Sequence, residues 1–159
     1  VQHATIQIAP IHKSAVAPLG RSLAFDTFTG RMSDWWFPGQ GIGPTPFKAI
    51  IVEPHAGGRW FEQAEDGTET RWGDVLEWDP PARILLAWRI KPDWKFDPEL
   101  ETLVEIRFEE IDETSTRVTL EHRELARLGE GAQQMAESMA GGWEALLQRF
   151  VDLAHQLDK

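Results

Sequence analysis

Glu53-Pro54-His55-Ala56-Gly57-Gly58-Arg59-Trp60-Phe61-Glu62 opens on a turn and runs into an apolar segment, and the chain behind it repeats the pattern. Trp72-Gly73 follows, then Trp78-Asp79-Pro80-Pro81-Ala82-Arg83-Ile84-Leu85-Leu86-Ala87-Trp88. Glycine pairs and Pro-Pro are turn signals, and the residues between them are aromatic or branched. The region therefore reads as successive antiparallel strands. Glu65-Asp66-Gly67-Thr68 is a hairpin signal, because Asp-Gly supplies the positive φ that a tight turn needs.

Working outward, strands are expected at 47–53, 59–64, 70–78, 84–90 and 102–110, with a sixth at 117–124 beyond the turn at Asp112-Glu113-Thr114. Ala4-Thr5-Ile6-Gln7-Ile8-Ala9-Pro10 alternates and ends at proline, which suits an opening strand and brings the count to seven. A helix is expected over Ser22 to Phe28, with Pro18 in its first turn and Gly30 at its end. A short second helix, capped by Ser33 or Asp34, carries Trp35 and Trp36. Phe37 to Pro46 holds three glycines and three prolines, so it is a loop, placed at the mouth of the fold. Lys91 to Leu100 breaks the strand pattern and reads as a longer loop or small insertion. From Glu130 to about Lys159, Met135, Met139, Trp143, Leu146, Phe150, Leu153 and Leu157 step by three or four, the stripe of a long amphipathic helix. Gly141-Gly142 in its middle suggests a kink or a close approach to the sheet.

The order is thus strand, two short helices, six strands and a long helix, an α+β chain of 159 residues that reads as one domain, 1–159. Trp35-Trp36, Glu53-Pro54 with Gly57-Gly58, Trp72-Gly73-Asp74-Val75, Trp78-Asp79-Pro80-Pro81, Leu86-Ala87-Trp88, Leu120-Glu121-His122 and Gly142-Trp143 fall in the order of a known superfamily. In this order the chain resembles the START-like, helix-grip proteins of the SRPBCC superfamily, and within it the branch named after the activator of the heat-shock chaperone ATPase. The resemblance implies a curved seven-stranded antiparallel sheet wrapped around the C-terminal helix, with an apolar cavity between them. It is specific for fold and not for function, since one fold hosts many activities.

Composition narrows the partners. Sixteen basic against 26 acidic residues give a net charge of -10, which repels phosphate backbones and anionic lipid headgroups. Neither nucleic acid nor membrane insertion is expected. There is no cysteine, so disulfides and thiolate metal sites are excluded. The five histidines are scattered without metal-ligand spacing, and no phosphate-binding loop, nucleophile elbow or dinucleotide fingerprint occurs; no cofactor and no metal are expected. The start of the sequence lacks a signal-peptide layout, so a cytoplasmic location is expected. A homodimer is left open.

Eight tryptophans and eight phenylalanines occur without a tyrosine. Aromatic residues fill cores, and they also wall ligand cavities. Strand alternation puts Thr102, Val104, Ile106 and Phe108 on one face of the sixth strand with Glu105, Arg107 and Glu109 opposite, Val118, Leu120 and His122 on the apolar face of the seventh, and Ile84, Leu86 and Trp88 on the inner side of the fifth. In the fourth strand Trp72, Asp74, Leu76 and Trp78 compete with Gly73, Val75 and Glu77. The family topology would gather Trp35, Trp36, Trp88 and Trp143 around one cavity, with Met135 and Met139 as a flexible wall. The expected ligand-facing set is these residues with Val104, Ile106, Phe108, Leu120 and His122. An inward His122 could orient a ligand or serve as general acid–base; it could equally be a core histidine bonded to a carbonyl or a neighbouring side chain. Arg59 could meet a ligand carboxylate or pair with Glu62 or Glu69.

Three functions compete. The first is binding of an apolar or amphipathic small molecule, lipid-like, aromatic or of polyketide type, with His122 and a tryptophan N–H as polar anchors. The second is a cyclase-, hydrolase- or dehydratase-like enzyme in which His122 works with Asp74 or Glu77. The third, implied by the family name, is a module that engages a chaperone ATPase through an exposed apolar patch.

Overall fold

The computed structural model describes residues 8–157. Its elements run β1 (Ile11–Ala17), α1 (Arg21–Gly30), α2 (Met32–Trp35), β2 (Phe47–Val52), β3 (Arg59–Ala64), β4 (Glu69–Asp79), β5 (Arg83–Trp88), β6 (Thr102–Asp112), β7 (Ser115–Arg123) and α3 (Ala132–Leu157), with a 3-10 turn at Leu125–Leu128. All strands join one antiparallel sheet in the order β1-β7-β6-β5-β4-β3-β2. The sheet curls into a half-barrel around the C-terminal helix, a helix-grip fold.

Short turns explain the meander. Gly67 takes φ +89° between β3 and β4, and the Thr68 N–H donates to Asp66 Oδ1 at 2.9 Å, so the Asp-Gly pair closes the hairpin on its own atoms. Asp112 does the same between β6 and β7 by accepting the Thr114 N–H at 2.9 Å.

The opening strand sits later than expected. Residues 4–7 lie outside the described residues, 8–10 form no strand, and β1 starts at Ile11. Pro10 precedes the strand, where its missing N–H takes nothing from the ladder. β1 then pairs with β7, from Ile11 opposite His122 to Ala17 opposite Thr116. Pro18 likewise lies ahead of α1, whose N-cap is Gly20. Ser33 and Asp34 do not cap α2; they lie inside it. The Ser33 hydroxyl instead accepts the Ile50 N–H at 2.7 Å, which ties α2 to the edge strand β2.

The fourth strand obeys neither expected parity, because two β-bulges interrupt it. Trp60 pairs with Gly73 but Phe61 with Arg71, so Trp72 is an extra residue; Val75 pairs with Leu86 but Glu77 with Leu85, so Leu76 is another. Each bulge flips the alternation. Trp72, Val75 and Trp78 consequently all join the core although they do not share one parity. At Gly73 a side chain would overlap the Ala87 carbonyl, so β4 and β5 approach there only because the residue is glycine.

The long helix buries Met135, Met139, Trp143, Leu146, Leu147 and Phe150 along one stripe. It runs unbroken through Gly141-Gly142, and neither glycine touches the sheet: a methyl on either would meet nothing within 4 Å. Phe150 meets Phe28 edge-on at 5.2 Å, and Phe28 meets Phe108 at 5.6 Å. Burial of each such ring stabilises the fold by about 1.5–3 kcal/mol. Among the described residues no helix is long and apolar enough to cross a membrane.

Candidate ligand cavity

A ring of tryptophans occupies one end of the space between sheet and helix. Trp36 follows α2, Trp60 lies on β3, Trp72 on β4, Trp88 on β5 and Trp143 on α3. Their centroids close a circuit: Trp36–Trp72 4.9 Å, Trp72–Trp60 5.5 Å, Trp60–Trp88 5.8 Å, Trp88–Trp143 6.0 Å and Trp143–Trp36 5.6 Å. The rings meet tilted or edge to face, as aromatic quadrupoles prefer. Trp60 stands behind the others; Trp36, Trp72, Trp88 and Trp143 wall a cavity of about 320 Å³. That is near the small end of the roughly 300–1,000 Å³ typical of ligand pockets.

Two loops and rather more than two turns of α3 complete the wall. The loop 37–46 contributes Phe37, Gln40, Gly41 and Ile42, and α3 contributes Ser138, Met139, Gly142 and Leu146. Gly142 matters by what it lacks, since its Cβ position is open space at the cavity wall. Trp94 stands at the cavity from the 91–100 loop, 46% exposed and held at φ +63°. A bulky side chain in the left-handed region is strained, and such strain collects at ligand clamps. The loop carrying it is closed by the Ile90–Phe96 bridge.

Every indole N–H of the ring is already spent. Trp36 donates to the Gln40 carbonyl (3.2 Å), Trp60 to Met32 Sδ (3.3 Å), Trp72 to Glu62 Oε1 (2.8 Å), Trp88 to the Ile90 carbonyl (3.0 Å) and Trp143 to His122 Nδ1 (3.2 Å). None of these five indoles has an N–H without a protein partner, and Trp36, Trp72, Trp88 and Trp143 present ring surface to the cavity. Among the described residues no ionisable side chain lines the cavity, and Gln40 and Ser138 are the polar side chains that do.

His122 is fully buried, 0% exposed, and lies beside the cavity wall without forming part of it. Because Trp143 donates to Nδ1, the proton of the neutral ring sits on Nε2, which donates to Thr102 Oγ1 at 2.9 Å. Thr102 in turn donates to the Trp88 carbonyl at 3.1 Å. Three hydrogen bonds thus run from one cavity tryptophan to the backbone of another. Burial pushes the imidazole pKa down from 6.5 to about 3. The proposed partnership with Asp74 or Glu77 is not formed: Asp74 pairs with Arg71 and Arg89, and Glu77 with Arg83. Bulges in β4 and the outward side of the sheet separate those carboxylates from the concave face.

Of the sequence-derived set, Trp36, Trp88, Met139 and Trp143 line the cavity. Trp35, Val104, Ile106, Phe108, Leu120, His122 and Met135 are buried elsewhere in the core. Trp35, for instance, is locked under α1 by its N–H bond to the Phe28 carbonyl. Trp72, Trp94, Ile42 and Gly142 join the wall without having been singled out for it. Glu62 lies on the inner side of β3, and its sequence signal is its place two residues from both Trp60 and Ala64. Arg59 pairs with Glu53 and Glu69 and leaves Glu62 alone. Among the described residues no cluster of three His, Asp or Glu side chains is arranged to hold a metal.

Comparison with known proteins bears on this arrangement. The model of the family described as Activator of Hsp90 ATPase homolog 1-like protein matches residues 21–155. Among solved structures, an anthrahydroquino-γ-pyrone synthase, Txn09, complexed with SUM, is 35% identical, covering 91% of this chain and 96% of its own at a TM-score of 0.66. CalC from Micromonospora echinospora, a self-sacrificing resistance protein, is 26% identical over 92% of this chain and 94% of its own, with a TM-score of 0.70. A protein from Nitrosomonas europaea shares the fold at 16% identity over 92% and 94% of the two chains, with a TM-score of 0.66. No curated protein matches the chain.

Proposed function

Because this chain belongs to the family of activator of Hsp90 ATPase homolog 1-like proteins, within the SRPBCC superfamily, we propose that it binds a flat, uncharged, mostly apolar small molecule in the tryptophan-walled cavity. One observation carries the reading: four indoles wall the cavity, and all four have their N–H groups satisfied by the protein. Such walls recognise a π face by stacking and area, and they hold no charge to attract an ionised headgroup. A polycyclic aromatic or polyketide-type molecule suits them better than a fatty acid. The 35% identical relative is named for an anthrahydroquino-γ-pyrone product, which is of that shape.

Catalysis is the second reading, and the name of that relative as a synthase is what favours it. Among the described residues the cavity wall offers no general acid or base, and His122 and Glu62 are both outside it. Chaperone engagement draws less support. Large exposed apolar residues among the described ones are Val16, Leu23, Trp94, Ile111 and Leu157, which come from separate elements.

Titration with 1,8-dihydroxyanthraquinone, read by tryptophan fluorescence, tests the proposal. Saturable one-to-one quenching is expected, with dodecanoate unable to displace the dye. Quenching that never saturates, or efficient displacement by the fatty acid, would overturn it.

A further inference from the structure

Glu62 is 2% exposed and lies on β3 between Trp60 and Ala64. Among the described residues it has no cation as a partner, and ligand binding as described above makes no use of it. Instead three N–H donors converge on one oxygen. Oε1 accepts from the backbone of Ile42 at 2.5 Å, from the backbone of Gly43 at 3.1 Å and from the Trp72 indole at 2.8 Å. Ile42 belongs to the mouth loop and Trp72 to the sheet, and both line the cavity. A single carboxylate therefore joins two separate parts of its wall.

The loop sequence is fitted to that carboxylate. A methyl group on Gly41 would overlap the Glu62 carboxylate, and one on Gly43 would lie 3.0 Å from both Glu62 Oε2 and Thr70 Oγ1. Gly-Ile-Gly at 41–43 thus leaves room for the acid while Ile42 is turned to the cavity. Elsewhere the loop is held by the Gln40 N–H to the Phe37 carbonyl and by the Trp36 indole to the Gln40 carbonyl. Both of those bonds are local to residues 36–40. Glu62 is what ties residues 42 and 43 to the sheet.

The geometry points to Glu62 as a positioning residue for the cavity: without touching the ligand, its carboxylate fixes the mouth loop and Trp72 in the arrangement that binds. This inference rests on the ligand-binding reading for its purpose, and on the Glu62 contacts for its substance.

Amide hydrogen exchange and 1,8-dihydroxyanthraquinone titration, run in parallel on the same variants, separate the two. In Glu62→Ala, exchange at Ile42 and Gly43 should quicken, and dye affinity should fall, each by about ten- to a hundred-fold, the scale of losing hydrogen bonds to a charged acceptor. Protection at Val104 and Leu120 should persist. Glu62→Gln, which keeps an acceptor oxygen, should fall between. Gly41→Ala should weaken dye binding in the parent and have little effect in the Glu62→Ala background, where the overlap is gone. Unchanged exchange at Ile42 and Gly43, or equal loss of protection at all amides, would overturn the assignment. So would additive effects of the two substitutions. If the parent protein binds no dye while the exchange pattern is as expected, the latch stands and the ligand reading fails.

Discussion

His122 can gain a proton only by giving up the hydrogen bond it accepts from Trp143, and it has no solvent contact to offset the loss. Its folded pKa of about 3 lies below the ordinary 6.5 of an unfolded chain. Between those values the unfolded state binds the extra proton, so folding stability is full above pH 6.5 and declines as the pH falls towards 3. The slope from this one group approaches about 1.4 kcal/mol per pH unit. Urea midpoints from pH 7 to pH 5 should therefore drop less steeply for His122→Gln than for the parent protein; parallel curves would contradict the neutral assignment. The inward direction of His122 was legible from the Val118, Leu120, His122 alternation. Its partner was not, because Trp143 arrives from a helix that local periodicity does not dock. Glu62 illustrates the same limit: it shares the parity of Trp60 and faces inward, while two of its three donors come from a loop with no period at all and the third, Trp72, stands at a bulge.

At the scale of elements, α3 and the outer face of the sheet carry different tasks. Gly142 opens the cavity at the middle of a helix that its glycines would otherwise only weaken, by about 1 kcal/mol each relative to alanine. Gly142→Leu should raise helix stability slightly and weaken 1,8-dihydroxyanthraquinone binding by at least about ten-fold, since its branches would occupy ligand volume. Undiminished binding in that variant would move the site elsewhere. On the convex face Glu105, only 7% exposed, accepts from Arg83 at 2.5 Å on β5 and Arg123 at 2.7 Å on β7, and it forms an ion pair with Arg107 on its own strand at 2.7 Å. Burial works against its ionisation, but the hydrogen bonds from Arg83 and Arg123 prevail and hold its carboxyl below the ordinary range. Its contribution is present above the usual carboxylate pKa and is lost as pH falls through the lowered one. Glu105→Ala should cost about 1–3 kcal/mol at pH 7 in a urea melt, less than a fully buried pair because the arginines reach water. The alternation of β6 had already put Glu105 and Arg107 on this outer side. In β4 alternation failed because two bulges each insert a residue, and bulges carry no signature in side-chain pattern.

Over the whole molecule, a strongly acidic chain encloses a cavity to whose wall no described residue brings a charge. The element order, the hairpins and the stripe of α3 were legible because turns, strand alternation and helical period are local. The cavity was legible only in part. Trp36, Trp88, Met139 and Trp143 follow from the topology, whereas Trp94 reaches the wall from a loop and Trp72 through a bulge. Which buried residues touch empty space and which touch each other is decided by packing across elements, and Trp35 and Phe108 differ from Trp36 only in that respect. The proposed site requires that these indoles bind by their faces while their N–H groups stay bonded to the protein. Nitrogen–proton NMR of the eight indoles during titration with 1,8-dihydroxyanthraquinone tests it directly. Trp36, Trp72, Trp88 and Trp143 should shift by ring currents and remain slow to exchange with water, while Trp35 and Trp78 hold still. Shifts confined to Trp78 and Trp94, or an unchanged spectrum at saturating dye, would contradict it.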